Sequence, residues 1–103
     1  MARAAKSTIA TKEKSDRLYR AILPLKTEEE CYNFFQDLCT ISEMRAMEQR
    51  YEVAALLDSG MIYSEILSQT GASSATISRV NRSLINGAGG YDVVLERMKE
   101  QEK

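Results

Sequence analysis

The twenty residues from Tyr63 to Arg82, YSEILSQTGASSATISRVNR, constrain this chain more than any other stretch. They read as two short helices joined by a tight turn. The first, Tyr63 to Gln69, is expected to carry Ile66 and Leu67 inward. Gly71 supplies the backbone freedom that a helix-to-helix turn needs. Ser73 fits an N-cap, because its hydroxyl can accept from the free N–H groups of the next turn. The second helix follows, with Ile77, Val80 and Leu84 as its buried stripe. Its other face carries Ser74, Ala75, Ser78, Asn81 and Arg82, small or hydrogen-bonding side chains that let a helix approach base edges in a major groove. The pattern is that of a helix-turn-helix, although two short helices joined by a glycine turn also occur in folds that never touch DNA.

A chain of 103 residues is one domain by size and buries only a modest core. A helical chain of this length often borrows a partner's surface. No run approaches eighteen apolar residues, so no membrane partner is expected. The N-terminal MARAAKSTIATKEK lacks the apolar centre of a signal peptide, which predicts a cytoplasmic protein. Cys31 and Cys39 are then two thiols in a reducing setting, without a histidine in the chain. That argues against zinc and predicts two buried small apolar residues. No Gly-rich phosphate loop and no nucleophile with a base is evident, so neither an enzyme nor a cofactor is expected.

The net charge of −1 carries no global argument for nucleic acid, but its distribution does. Residues 1–26 hold seven Lys/Arg against two acids, and residues 27–60 hold two against eight. Residues 1–23 therefore read as a basic N-terminal arm with a short helix, and residues 24–103 as the helical domain. The arm is either a solvated tail or a segment that touches phosphates.

Almost everything reads helical. Ser15 to Leu23 predicts a short helix ahead of Pro24, with Leu18, Tyr19 and Ile22 on one face. Thr27-Glu-Glu-Glu30 fits a capping box. Cys31, Phe34, Phe35 and Leu38 then form an apolar stripe at helical spacing, read as core. The longest pattern, Ile41 to Ser59, is apolar around much of its circumference, which predicts burial at the centre of a fold or an interface. Gly60 ends it as a C-cap glycine would. Asn86-Gly87-Ala88-Gly89-Gly90 breaks the chain, and a last amphipathic helix starts at about Tyr91, with Val94, Leu95 and Met98 apolar.

The order of helices and the segment GASSATISRVNRSL resemble the tryptophan-repressor family, and more closely its branch of related regulators labelled YerC/YecD. The resemblance covers Pro24 to the C-terminus. Its specific part is Gly71-Ala72, Ala75-Thr76-Ile77, Arg79 and Ser83-Leu84, held in one frame without gaps. It implies an all-α, tryptophan-repressor-like domain that forms an intertwined homodimer on double-stranded DNA, with Ser73, Ser74, Ala75, Thr76 and Ser78 at or near base edges and phosphates.

The chain also departs from the family. Tryptophan repressors use basic side chains on the first motif helix to hold phosphates, and Ser64 and Leu67 stand at those positions here. Arg82 and the basic arm are the substitutes at hand. Thr70 replaces the usual apolar residue before Gly71. Arg79 matches an effector-binding arginine, Arg50 matches a second one if a gap is placed near Gly60, and Thr40 and Ser83 match as well. Together with Val80 these residues define a candidate pocket for an unknown small-molecule effector. Val80 replaces a glycine that lies against the indole ring, so tryptophan itself is not expected to fit. Arg50 and Arg79 also fit a structural role, paired with nearby carboxylates or carbonyls. The sequence thus reads as a DNA-binding transcriptional regulator, a repressor acting by operator occupancy. A helical dimeric adaptor without DNA binding is the alternative, in keeping with the weak positive charge of the motif.

Overall fold

The computed structural model describes residues 16–102, and among these every regular element is helical. Helix α1 covers 16–22 of the described residues. It is followed by α2 (Glu28–Leu38), α3 (Ile41–Asp58), α4 (Tyr63–Thr70), α5 (Ser74–Asn86) and α6 (Gly90–Gln101). The basic arm up to Ser15 lies outside the described residues. The chain divides into two units, one ending at Thr40 and the other running from Ile41.

In the first unit, local chemistry sets the start of α2. The Thr27 hydroxyl accepts the Glu30 N–H at 3.0 Å. The Glu30 carboxylate reaches back to the Lys26 N–H at 2.8 Å, one residue upstream of the usual capping-box donor. Three glutamates in the first turn favour the positive helix end. The expected core stripe of α2 is not a core in this chain. No residue of α2 is buried: Cys31, Phe34 and Phe35 are half-buried, and Leu38 is 51% exposed. Helical spacing specifies that one face is apolar, but not whether the covering surface lies in the same chain. Cys31 and Cys39, expected to be buried, are free and half-buried.

The second unit holds the core cluster. Val53 and Ala54 of α3, Ile66 of α4, Ala72 of the turn, and Ile77 and Val80 of α5 pack together, with Leu56, Leu57, Met61, Leu84 and Tyr91 around them. Helices α3, α4 and α5 pack on one another, and α6 packs on α5. Helix α3 ends in a Schellman arrangement. Gly60 adopts φ +92°, its N–H donates to the Leu57 carbonyl at 3.0 Å, and the Met61 N–H donates to the Leu56 carbonyl at 3.1 Å. Only the C-terminal half of α3 lies in this cluster; at its start Ile41 is 74% exposed. Helix α6 starts at Gly90, one residue before the expected Tyr91, and buries Leu95 while Val94 and Met98 stay exposed. Lys99 ties α6 to the end of α3 through a 2.7 Å ion pair with Asp58. That hydrogen bond holds the Lys99 pKa above its ordinary value.

Candidate nucleic-acid interface

Helix α5 has two chemically distinct faces. Ile77 and Val80 are buried and Leu84 is half-buried, as the spacing predicts. On the opposite side Ser74, Ala75, Ser78 and Arg82 are exposed, and Thr76 is half-buried beside the exposed Ser73. Ser73 caps the helix: its Oγ accepts the Thr76 N–H at 3.1 Å and donates to Thr76 Oγ1 at 3.1 Å. No acid stands in the first turn of α5, so its positive end faces solvent without a carboxylate to quench it.

The turn before α5 is built from three residues. Gly71 takes φ +70°, the left-handed region where a side chain is disfavoured, and its N–H donates to the Leu67 carbonyl at 3.0 Å. The Thr70 hydroxyl donates to the Ile66 carbonyl at 2.7 Å and accepts the Ala72 N–H at 3.1 Å. This explains a polar residue where an apolar one is usual. Ala72 turns its methyl into the core. Gln49 of α3 donates from Nε2 to the Thr70 carbonyl at 3.2 Å. No local pattern in the sequence singles out Gln49; the threonine before Gly71 is the signal that this turn has its own hydrogen bonding.

One expectation for α4 fails. Ile66 is fully buried, but Leu67 is 44% exposed. Adjacent residues on a helix lie 100° apart, and a two-turn helix packed on one side encloses only a narrow stripe. Tyr63, one turn earlier, is also 44% exposed. The outer surface of α4 is therefore partly apolar, and Glu65 is its only ionisable carboxylate.

The candidate effector residues differ in their burial. Val80 is 2% exposed and belongs to the core cluster. Arg50 on α3 and Arg79 on α5 are exposed, as is Ser83, while Thr40 lies exposed in the first unit. Ser83 lines an open groove of about 490 Å³ with Tyr51, Tyr91 and Val94; Arg50, Arg79 and Val80 are not among its walls. The anticipated structural pairing of the two arginines is not made among the described residues. Among the described residues, no ion pair or side-chain hydrogen bond engages Arg50, Arg79 or Arg82. Arg20 and Arg45, by contrast, pair with Asp16 and Glu48 within their own helices.

This arrangement has counterparts among known proteins. Residues 13–99 match the model of the Trp repressor protein family. The uncharacterized protein YerC of Bacillus subtilis (strain 168) is 53% identical over 87 residues, which is 84% of this chain and 84% of that protein. A Trp repressor candidate from Staphylococcus aureus superposes with a TM-score of 0.81 at 47% identity, covering 84% of this chain and 87% of that one. A TrpR-like protein from Eubacterium eligens gives a TM-score of 0.81 at 50% identity, covering 84% and 90%. The chain belongs to the Trp repressor family, on its YerC-type side.

Proposed function

We propose that this protein is a dimeric, sequence-specific DNA-binding transcriptional regulator, a repressor that acts by occupying its operator. The observation that carries this reading is the start of α5: a serine-capped, acid-free helix end with Ser74, Ala75, Ser78 and Arg82 exposed opposite the buried Ile77 and Val80. Small side chains allow close approach to base edges, and the helix end and the Arg82 guanidinium suit phosphates. Ser73 and Thr76 complete the contact surface. Residues 1–23 act as a basic arm that adds phosphate contacts, leaving 24–103 as the regulator domain.

The exposed apolar face of α2 supports an intertwined homodimer, in which a second copy supplies the cover that the chain itself does not. Sedimentation should find no stable folded monomer at micromolar concentration. Thr40, Arg50, Arg79, Val80 and Ser83 remain the candidate effector region, and tryptophan is not its ligand. The protein works in the cytoplasm and catalyses no reaction. Family membership, with a regulator family's fold, supports the DNA partner.

Selection of bound sequences from random duplex DNA, with and without candidate small molecules, tests the whole reading. A selected duplex should bind with a logarithmic salt slope of roughly −0.9 per phosphate contacted. A chain that enriches no sequence and shows no salt slope would instead be a helical dimeric adaptor.

A further inference from the structure

We infer that Gln49 is a positioning residue: it latches the α4–α5 turn to helix α3, so that α5 keeps its pose without a bound effector. The inference borrows its purpose from the DNA-binding reading, while the latch itself is a property of the folded chain.

Thr70 is the last residue of α4, and its carbonyl is among those that a helix end leaves without an intrahelical partner. The amide of Gln49 fills that vacancy from another helix, across 21 residues of sequence, in a half-buried setting. The other bonds of the turn are local. The Thr70 hydroxyl spans Ile66 and Ala72, and the Ser73 hydroxyl spans to Thr76. Local bonds fix the shape of a turn but not its place against α3. The core contacts of Ala72, Ile77 and Val80 hold α5 down, yet apolar burial is non-directional and tolerates sliding. A hydrogen bond with a defined donor and acceptor does not. The Gln49–Thr70 bond is therefore the directional link between the central helix and the turn that aims α5. Where a bound ligand sets such an angle, orientation depends on ligand supply; here a side chain of the protein supplies it.

Two variants of the full chain test the latch through amide hydrogen exchange at residues 70–73 and duplex affinity. Gln49→Met keeps length and removes the donor. Gln49→Glu keeps shape and sets a carboxylate oxygen against the Thr70 carbonyl. Exchange at Gly71 and Ala72 should rise roughly threefold to tenfold in Gln49→Met and further in Gln49→Glu. Gln49→Lys, which keeps an N–H donor at similar reach, should bring exchange back toward the unmodified value. Affinity of Gln49→Met for a selected duplex should fall by a similar factor, with helix content and sedimentation unchanged. Unaltered exchange in both variants overturns the inference. So does equal exchange in Gln49→Met and Gln49→Glu, or a loosened turn that keeps full duplex affinity. If the unmodified chain selects no duplex, the DNA-binding reading fails by itself, and the order of exchange rates still decides the latch.

Discussion

Helices α2 and α5 look alike in sequence and differ in the structure. Each carries an apolar stripe at helical spacing after a hydroxyl N-cap, Thr27 for α2 and Ser73 for α5. Yet α5 buries Ile77 and Val80 within its own chain, while α2 leaves Cys31, Phe34 and Phe35 half-buried and Leu38 exposed. Periodicity reports that a face must be covered. Only the arrangement of the rest of the chain decides whether the cover is cis or trans. In α5 the cover is α3 and α4, reached through a three-residue turn. For α2 the proposed cover is a second copy.

The largest effect separates the two helices at once. Ile77 is fully buried, so Ile77→Asp places a carboxylate without a partner in the core. The cost should exceed about 4 kcal/mol and abolish folding, as read by far-UV dichroism. An aspartate at Phe34 would be equally disruptive only if a second copy covers α2. The gentler pair Phe34→Ala with Leu38→Ala measures that cover. If the dimer buries both, their loss should cost ~3 kcal/mol and raise the dimer dissociation constant roughly a hundredfold. Sedimentation equilibrium reads this directly. An unchanged dimer would assign the apolar face of α2 to solvent or to a different partner.

Much of the second unit was legible from residue types alone. Gly60 and Gly71 mark two of the three left-handed positions among the described residues, Gly89 being the third, and Ser73 marks a cap, as Thr27 does in the first unit, because these are local demands of the backbone. The stripe of α5 was legible because its spacing is unbroken. What could not be read was which long-range surface meets each stripe. That is why spacing alone predicts a core at Phe34, Phe35 and Leu38, and turns Leu67 inward beside Ile66. The Gln49–Thr70 bond was equally hidden, since no local pattern links residues 21 positions apart. The candidate effector residues rest on the family resemblance, since no local pattern links Arg50, Arg79, Val80 and Ser83 to a ligand; Val80 is core, and Arg50, Arg79 and Ser83 are exposed.

A smaller effect is expected on the exposed side of α5. Ser74→Glu adds a carboxylate at the helix start, where negative charge suits the helix dipole, so stability should hold or rise slightly. Duplex affinity should nevertheless fall by about 2 kcal/mol or more, roughly thirtyfold, because phosphates and most base-edge acceptors repel the new charge. Full affinity in a filter or fluorescence titration would move the recognition surface elsewhere. Arg82→Gln should act more mildly. Arg82 has no ion pair among the described residues, so its removal costs the fold little. It should weaken binding by ~1 kcal/mol and reduce the magnitude of the salt slope by about 0.9, evenly across sequences, if it meets a phosphate. A loss confined to particular operator positions would instead assign Arg82 to a base.

The smallest expected effect is none: free tryptophan should leave duplex affinity unchanged. Val80 is part of the same packed cluster as Ala54 and Ile77, so the space beside this turn of α5 holds a branched side chain that a ring would have to displace. Forcing extra volume into a packed site costs about 1–3 kcal/mol, enough to cancel a weak ligand's affinity. Removing the branch tests the same point from the other side. Val80→Gly deletes a buried side chain and places glycine inside a helix, which loosens α5 and should weaken duplex binding. If Arg50 and Arg79 flank the vacated space in the dimer, tryptophan should then recover part of that loss. Calorimetry on the unmodified protein decides the first half: a clear heat of tryptophan binding, with tighter operator binding in its presence, would show that α5 takes its pose from a ligand after all. Such a result would make α5 resemble α2, a helix whose final setting is completed from outside its own chain.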